Sequence, residues 1–388
     1  MQYKFKKIED APISSGTKVL LRLDLNVPIV DGQVRDDFRI KKSLKTLEFL
    51  KNRGAKTIII AHTDSKETDS LKVVAEYLNT IIKVDFVPSL EELPERLGAL
   101  GDGGILFLEN IRNNPGEIKN DLHFAQTLAS LADIYVNDAF SVSHRAHASI
   151  VGIPNFLPSY AGFLFCEEVV HVSRAFNPPR PFLFILAGAN KKLTSTSLVS
   201  ETKFPLVTKF LKSADSVFVG GALANDLFKA EGFEIGHSKH SESDFGFEAM
   251  LHNPKLLLPL DVVVGDPQNK ISKKPNQILP EEIVFDAGQE TLTMLTEKLK
   301  SAQFVLWNGT IGAYEQGFVE GTEALAKAIA ESGVEAIVGG GDTLAAIDKL
   351  ALNDKFSFVS TGGGAMLDFL ASETLPGIAA LEASAAHN

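Results

Sequence analysis

The chain has 388 residues, 45% of them hydrophobic and 22% charged, with a formal net charge of −11. That length accommodates two or three domains with sizeable cores, the composition is globular rather than disordered, and the acidic balance excludes general nucleic-acid affinity, which needs a basic footprint. The single Cys166 rules out an internal disulfide framework and suits a reducing cytosol. The start, MQYKFKKIED, is too polar for a signal peptide, and no run of about 18 apolar residues is present to span a membrane.

Lys18–Leu25 is a leucine-rich run and reads as a buried strand leading into Asn26-Val27-Pro28. Residues 37–53 have helical period, with Ile40, Leu44, Leu47 and Leu50 on one face. Strand 57–61 ends at His62, helix 70–81 follows, then a short strand at 84–87 and a helix at 90–97. Strand 105–108 runs into the polar loop Glu109 to Asn114; helix 121–131 and strand 134–136 then lead to Asn137-Asp138. Alternating strand and helix is the signature of a parallel sheet covered on both faces. Ligands bind such sheets at the carboxyl ends of the strands. Asp24, Asn26, His62, Arg112, Asn137 and Asp138 fall there, with His144 and Arg145 close behind and Arg39 at the start of the first helix. Three arginines and two histidines at one rim suit a multiply anionic ligand, because guanidinium forks match carboxylate and phosphate oxygens. His144 and His147 have HxxH spacing, but no acidic or cysteine ligand accompanies them, so a metal is not expected there. His123 reads as a partly exposed helix residue.

Gly162 to Phe176 reads as a helix ended by Asn177-Pro178-Pro179-Arg180-Pro181, since proline lacks the donor a helix needs. Before it the informative loops carry Arg and His; after it they carry glycine. The expected outline is one lobe for an anionic substrate and one for a nucleotide, joined by a helix.

Strand 182–186 runs into Ala187-Gly188-Ala189-Asn190-Lys191-Lys192, and helix 205–212 has Pro205 in its first turn. Strand 216–219 meets Gly220-Gly221 and helix 222–230; 256–264 reads as one strand broken by Pro259. Strand 283–285, helix 291–300 and strand 304–307 precede Asn308-Gly309-Thr310-Ile311-Gly312 and a helix at 321–332. Strand 336–338 meets Gly339-Gly340-Gly341-Asp342-Thr343, and strand 356–359 meets Gly362-Gly363-Gly364, each followed by a helix. The pattern is again doubly wound α/β. Three strand–glycine–helix junctions point to nucleotide phosphates, because glycine lets backbone amides approach closely and a helix N-terminus adds unpaired donors. Neither a Walker A spacing nor GxGxxG occurs. Asp342 is placed to hold Mg²⁺ or to cap its helix, and Glu315 to accept from ribose hydroxyls.

Together these residues resemble the phosphoglycerate kinase family over nearly the whole chain. The carriers are RLDLNVP with Arg39, LENIRNNPGE, VNDAFSVSHRAHAS with the later AGFLF, WNGTIGAYE, GGGDT, STGGGA and the closing LPGIAAL. The resemblance implies two Rossmann-like lobes: residues 1–160 for phosphoglycerate, a connecting helix and hinge at 161–180, and 181–374 for nucleotide, with 375–388 returning to the first lobe. It implies a cytoplasmic monomer that transfers a phosphoryl group between 1,3-bisphosphoglycerate and Mg-ADP, with closure of the lobes about the helix. By resemblance Asp24, Asn26, Arg39, His62, Arg112, His144 and Arg145 would hold the glycerate. Gly188, Ala189, Gly220, Gly221, Asn308, Gly312 and Glu315 would hold the nucleoside. Gly340, Gly341, Asp342 and Thr343 would hold its phosphates and Mg²⁺, and Gly363 and Gly364 would cradle the group in flight. The nucleophile is an anionic oxygen, so catalysis is positioning plus charge stabilisation.

The chain departs from the family at functional positions. Where the family has GGAK with a second lysine four residues on, this chain has Ala187-Gly188-Ala189-Asn190 and Thr194, leaving Lys191 or Lys192 to supply the charge. Where it has SHxGRP, this chain has Ala61-His62-Thr63-Asp64-Ser65-Lys66, with Lys66 in place to compensate for the lost arginine. Thr310 replaces a proline and Ser141 a glycine. These departures support a second reading, a nucleotide-binding relative with weak or no kinase activity. The intact GGGDT and STGGGA favour an active enzyme.

Overall fold

The computed structural model describes residues 3–188, 199–241 and 243–387, apart from the side chains of 199–202 and 387. The chain divides into two compact units, Met1–Val170 with Thr374–Asn388, and His171–Glu373. The division falls inside the helix Phe163–Val172.

Each unit is built on a six-stranded sheet whose pairings are all parallel. In the first, strand Lys18–Leu23 lies at the middle, between Lys56–Ile60 and Ile134–Asp138. Ile105–Leu108 and Asp85–Val87 extend one side, and Ser159–Ala161 closes the other. All but the first residue of the central strand are buried, because helices cover both faces. Two apolar layers result, one around Leu21, Ile59 and Leu47, the other around Leu20, Ile58 and Leu128. The closing helix Pro376–His387 belongs to this unit, where Glu382 Oε1 accepts from Lys4 N–H at 2.9 Å and Gly377 N–H donates to Ser143 at 2.9 Å.

In the second unit strand Phe182–Leu186 is central, flanked by Ser216–Val219 and Phe304–Asn308. Leu256–Leu257 lies beyond the former, and Glu335–Gly339 and Phe358–Ser360 beyond the latter. In both sheets the strand order reverses beside the first strand. Such switch points leave a crevice at the strands' carboxyl ends. In the first unit those ends carry Asp24 and His62, in the second Gly188 and Gly309.

Several expected elements are corrected. Residues 256–264 form two strands in different sheets: Leu256–Leu257 joins the parallel sheet, whereas Val262–Asp266 pairs antiparallel with Asn269–Lys273 and Asp286–Ala287. The strand expected at 283–285 is Asp286–Ala287. Pro205 lies inside the helix Val199–Ser213, not in its first turn, held there by the buried Phe204, Leu206, Val207 and Phe210. Asn137 and Asp138 are internal anchors rather than rim residues. Asn137 donates to Ser143 Oγ at 3.1 Å. Asp138 accepts from Thr46 Oγ1 at 2.5 Å and from Phe165 N–H at 2.9 Å, tying the helix Phe163–Val172 to the sheet.

Candidate functional site

In the first unit, burial and pairing decide which charges face a ligand. Arg39 leaves the first turn of the helix Phe38–Asn52 and donates through Nη1 to Asp24 Oδ2 at 2.7 Å and to the Asn26 carbonyl at 3.0 Å. Ser141, in the position of a family glycine, donates to the same Asp24 oxygen, and Asn26 Oδ1 accepts from Asp64 N–H at 3.1 Å. Arg112 lies in a short 3₁₀ turn after strand Ile105–Leu108, its N–H capped by Asn110 Oδ1. Its side chain is 8% exposed and its Nη1 donates to Asp64. Its Nε and Nη2 are buried with no hydrogen-bond partner. Buried donors are rarely left unpaired in folded proteins, so these two mark the place an anion would fill.

Three histidines accompany the arginines, and burial lowers the pKa of each, so that all are neutral at neutral pH. His62 is 2% exposed, and burial with the charges of Arg22 and Arg112 holds its pKa far below the ordinary histidine value. Burial and the Arg145 guanidinium push His144 down to about 4; burial and Arg112 push His147 to about 4. Arg145 Nε donates to His144 Nε2 at 3.4 Å, and His144 Nδ1 is buried without a partner. Among the described residues no group of three or more His, Cys, Asp or Glu is arranged to hold a metal. The expected residues Asp24, Asn26, Arg39, His62 and Arg112 therefore form one connected cluster, with His144 and Arg145 coupled to it by charge. Sequence reasoning missed Arg22, which reads as a strand-interior residue and proves to be wholly buried beneath His62, 3.1 Å from its Nδ1.

In the second unit the glycines fall into two groups. Gly221, Gly309 and Gly340 let backbone pass against backbone: a Cβ on Gly309 would lie 2.1 Å from the Ala187 oxygen, and one on Gly221 2.7 Å from Gly188 N; Gly188 needs glycine for its φ of +95°. Gly220 packs on the Phe218 ring, and Gly312 on Asp286 and the Phe318 oxygen. These positions need glycine for the protein's own backbone and packing, whatever ligand their amides also meet. Gly341, Gly363 and Gly364 have nothing within 4 Å of a Cβ position. They open the helices Gly341–Lys349 and Gly364–Ser372, so their amide ends are clear for phosphate oxygens. Thr343 Oγ1, in the first of those helices, is buried without a partner, and Asp342 stands beside it. A buried orphan hydroxyl next to a carboxylate at a helix N-terminus fits a phosphate that carries a hard divalent cation. Asn308 is 3% exposed at its strand end, with Nδ2 3.8 Å from Met366 Sδ. Glu315 is exposed in the 3₁₀ turn Tyr314–Gln316. Ala189, Asn190, Lys191, Lys192 and Thr194 lie outside the described residues.

The cation sequence reasoning overlooked here is Lys203. It is 5% exposed, and its ammonium donates to the Ala187 carbonyl at 2.7 Å. A Cβ on Gly188 would sit 3.3 Å from it. Burial pushes its pKa down to about 8 against the opposing pull of Asp342.

Comparisons with known proteins agree with this geometry. The family model for phosphoglycerate kinase matches residues 8–373. A phosphoglycerate kinase from Wolbachia sp. subsp. Drosophila simulans is 40% identical over 391 residues, covering 94% of this chain and 95% of the relative. A cytosolic phosphoglycerate kinase from Triticum aestivum is 39% identical over 394 residues, covering 95% and 96%. The solved phosphoglycerate kinase of Pyrococcus horikoshii superposes with TM-score 0.86 at 29% identity, over 98% of this chain and 99% of that one. That of Coxiella burnetii gives 0.80 at 34% identity, over 97% and 98%. This chain belongs to the phosphoglycerate kinase family.

Proposed function

We propose how the family's reaction is divided between the two units. The reaction itself is reversible phosphoryl transfer between 1,3-bisphosphoglycerate and ADP, giving 3-phosphoglycerate and ATP. The first unit holds the glycerate: Arg39 and Arg112 grip anionic oxygens, Asn26 and His62 donate to them, Asp24 sets the pose of Arg39, and His144 and Arg145 line the rim. The second holds the nucleotide: Gly188, Gly220, Gly221, Asn308, Gly312 and Glu315 around the nucleoside, Gly340, Gly341 and Thr343 at its phosphates. Asp342 would hold Mg²⁺, which offsets the negative charge of the phosphates when bound. Gly363 and Gly364 present open amides to the transferring oxygens.

Lys203 supplies the positive charge that the Asn190 position lacks. The single observation that carries this assignment is the buried ammonium 2.7 Å from the Ala187 oxygen. It is 5% exposed, and a fixed charge held away from water stabilises developing negative charge more strongly than one in water. The activity does not need the two departures at Asn190 and Thr194 to be repaired by their neighbours. We further propose a monomeric, cytoplasmic enzyme. The lone Cys166, the net charge of −11 and the wheat relative's cytosolic name support that.

The test is steady-state transfer from Mg-ATP to 3-phosphoglycerate in the wild type and in Lys203→Met, Lys191→Ala and Lys192→Ala. The expected result is a roughly hundred- to thousandfold fall in kcat for K203M alone. Collapse of K191A or K192A with K203M intact moves the role to that lysine. A wild type that binds Mg-ADP but shows no turnover leaves only the nucleotide-binding reading.

A further inference from the structure

Arg22 makes a chain of contacts that the binding roles above do not use. Its side chain is wholly buried under the first unit's cluster. Nη1 donates to the Leu23 carbonyl at 2.5 Å, Nε donates to Ser149 Oγ at 3.0 Å, and Nη2 lies 3.1 Å from His62 Nδ1. A guanidinium has donors only and stays protonated. His62 Nδ1 is therefore the acceptor, and the one proton of the neutral ring sits on Nε2. That nitrogen is 3.8 Å from Asp64 Oδ2, beyond hydrogen-bond reach.

The other end of the chain is a buried carboxylate. Ser149 Oγ, having accepted from Arg22, donates to Glu117 Oε1 at 2.6 Å, and Ser149 N–H donates to Glu117 Oε2 at 2.9 Å. Glu117 is wholly buried. The Tyr135 hydroxyl donates to the Ser149 carbonyl at 2.5 Å and fixes the turn from the other side. Ser149 lies in the π-helical turn Ala148–Gly152, a geometry uncommon in helices and frequent at functional sites. The turn aims its N–H and its hydroxyl at the two oxygens of one carboxylate. Glu117 thus balances the buried Arg22 through one hydroxyl.

We propose that Glu117, Ser149 and Arg22 are positioning residues that fix His62 as the Nε2–H tautomer, so that its ring always presents a donor to the anionic glycerate. The other tautomer would aim a lone pair at the anion. The inference rests on reading the first unit as the 3-phosphoglycerate site. Arg22 itself is not a substrate ligand, since reaching one would strip four buried hydrogen bonds, to Ser149 Oγ, His62 Nδ1 and the Leu23 and Ile60 carbonyls.

The experiment is long-range ¹H–¹⁵N correlation of the histidine rings in the full chain, with His62→Gln identifying the signal, together with 3-phosphoglycerate and Mg-ADP titrations. In the wild type, Nε2 of His62 carries the proton and Nδ1 does not, with no titration across roughly pH 5 to 8, where an ordinary histidine responds. A proton on Nδ1, or titration in that range, overturns the proposal in the wild-type spectrum itself. In Ser149→Ala the ring becomes a mixture of tautomers, and 3-phosphoglycerate binds roughly five- to tenfold more weakly. Mg-ADP affinity is unchanged, and Ser149→Thr restores the tautomer and the affinity. Loss of affinity in S149A with the tautomer unaltered overturns the relay. Absence of any 3-phosphoglycerate binding by the wild type defeats the substrate reading instead, and leaves the ring assignment standing.

Discussion

Lys203 Nζ lies 2.7 Å from the carbonyl oxygen of Ala187, at the switch point of the second unit's sheet. Burial holds that ammonium's pKa near 8, so it loses its charge within the range an assay can reach. The expected kcat/KM for nucleotide falls as pH rises through about 8, and Lys203→Arg moves that limb out of range because arginine stays charged. Stability has the opposite sign. A lysine whose pKa is lowered on folding stabilises the folded state only above its unfolded value, and that contribution is lost as pH falls through about 8. Lys203→Met is therefore expected to be more stable than the wild type at neutral pH, by about 1–3 kcal/mol, while nearly inactive. Denaturant midpoints of the two proteins at pH 7 check it; a less stable K203M would mean that the ammonium is held for structure.

How much of this could be read beforehand depends on what burial looks like in sequence. The central strands are runs such as VLLRL and FLFIL, apolar because both faces are covered, and they stand out. The strand Asn269–Lys273 is polar and mostly exposed, so nothing in NKISK announces it. The break at Pro259 is visible, but period alone does not tell that the chain changes sheets there. Lys203 does carry a signal in the sequence. It shares an i, i+3, i+4, i+7 stripe with Leu206, Val207 and Phe210, a charge on a buried face. A helix begun at Pro205 excludes it, whereas the helix begins at Val199. The open glycines Gly341, Gly363 and Gly364 look the same in sequence as Gly309, which only lets two backbones pass. Distinguishing them needs the neighbour's coordinates.

Asp64 is the next test. Its carboxylate sits on Arg112 Nη1 while Arg112 Nε and Nη2 have no partner. An anion entering the cluster meets this charge of like sign. Asp64→Asn is expected to tighten 3-phosphoglycerate by roughly twofold to fivefold, the small size following from its being 52% exposed and screened. The KM for 3-phosphoglycerate measures it. Weaker binding would make Asp64 the residue that aims Arg112 and would sink the repulsion argument.

The two kinds of glycine predict two kinds of failure. A Cβ at Gly364 meets nothing within 4 Å of protein, so Gly364→Ala should leave the melting temperature within a degree or two, roughly what a change below 0.5 kcal/mol produces. On the proposed phosphate role of Gly364 it should still lower kcat, because the methyl would crowd the open amides. At Gly309 φ is +92° and the Cβ would lie 2.1 Å from the Ala187 oxygen. Gly309→Ala should therefore destabilise by more than about 2 kcal/mol. Equal stability losses in the two variants would end the distinction.

Asp286 carries the last prediction. It lies at the start of strand Asp286–Ala287 and takes the place of a missing N-cap for the helix Glu320–Ser332, accepting from Gly321 N–H at 3.0 Å through Oδ2 and from Ala287 N–H at 2.8 Å through Oδ1. Gly312 packs on the same carboxyl, and Ala313 N–H donates to the neighbouring Phe285 carbonyl at 2.7 Å, so the loop bearing Glu315 is tied to this point. Burial pushes the carboxyl up to about 7, with Glu320 adding to the rise and the two backbone donors and Lys270 opposing it. A carboxyl raised on folding stabilises the folded state below its unfolded value, and that contribution disappears as pH climbs through about 7. The rise from an ordinary 3.8 to about 7 corresponds to roughly 4 kcal/mol at most. Asp286→Asn cannot titrate. The wild type's stability relative to D286N should therefore decline from pH about 4 to pH about 7 and level off above it. Chemical denaturation of both proteins across that range measures the difference directly. A flat difference would mean that Asp286 is already ionised in the folded chain, stabilised by its two backbone donors and Lys270 more strongly than burial opposes them.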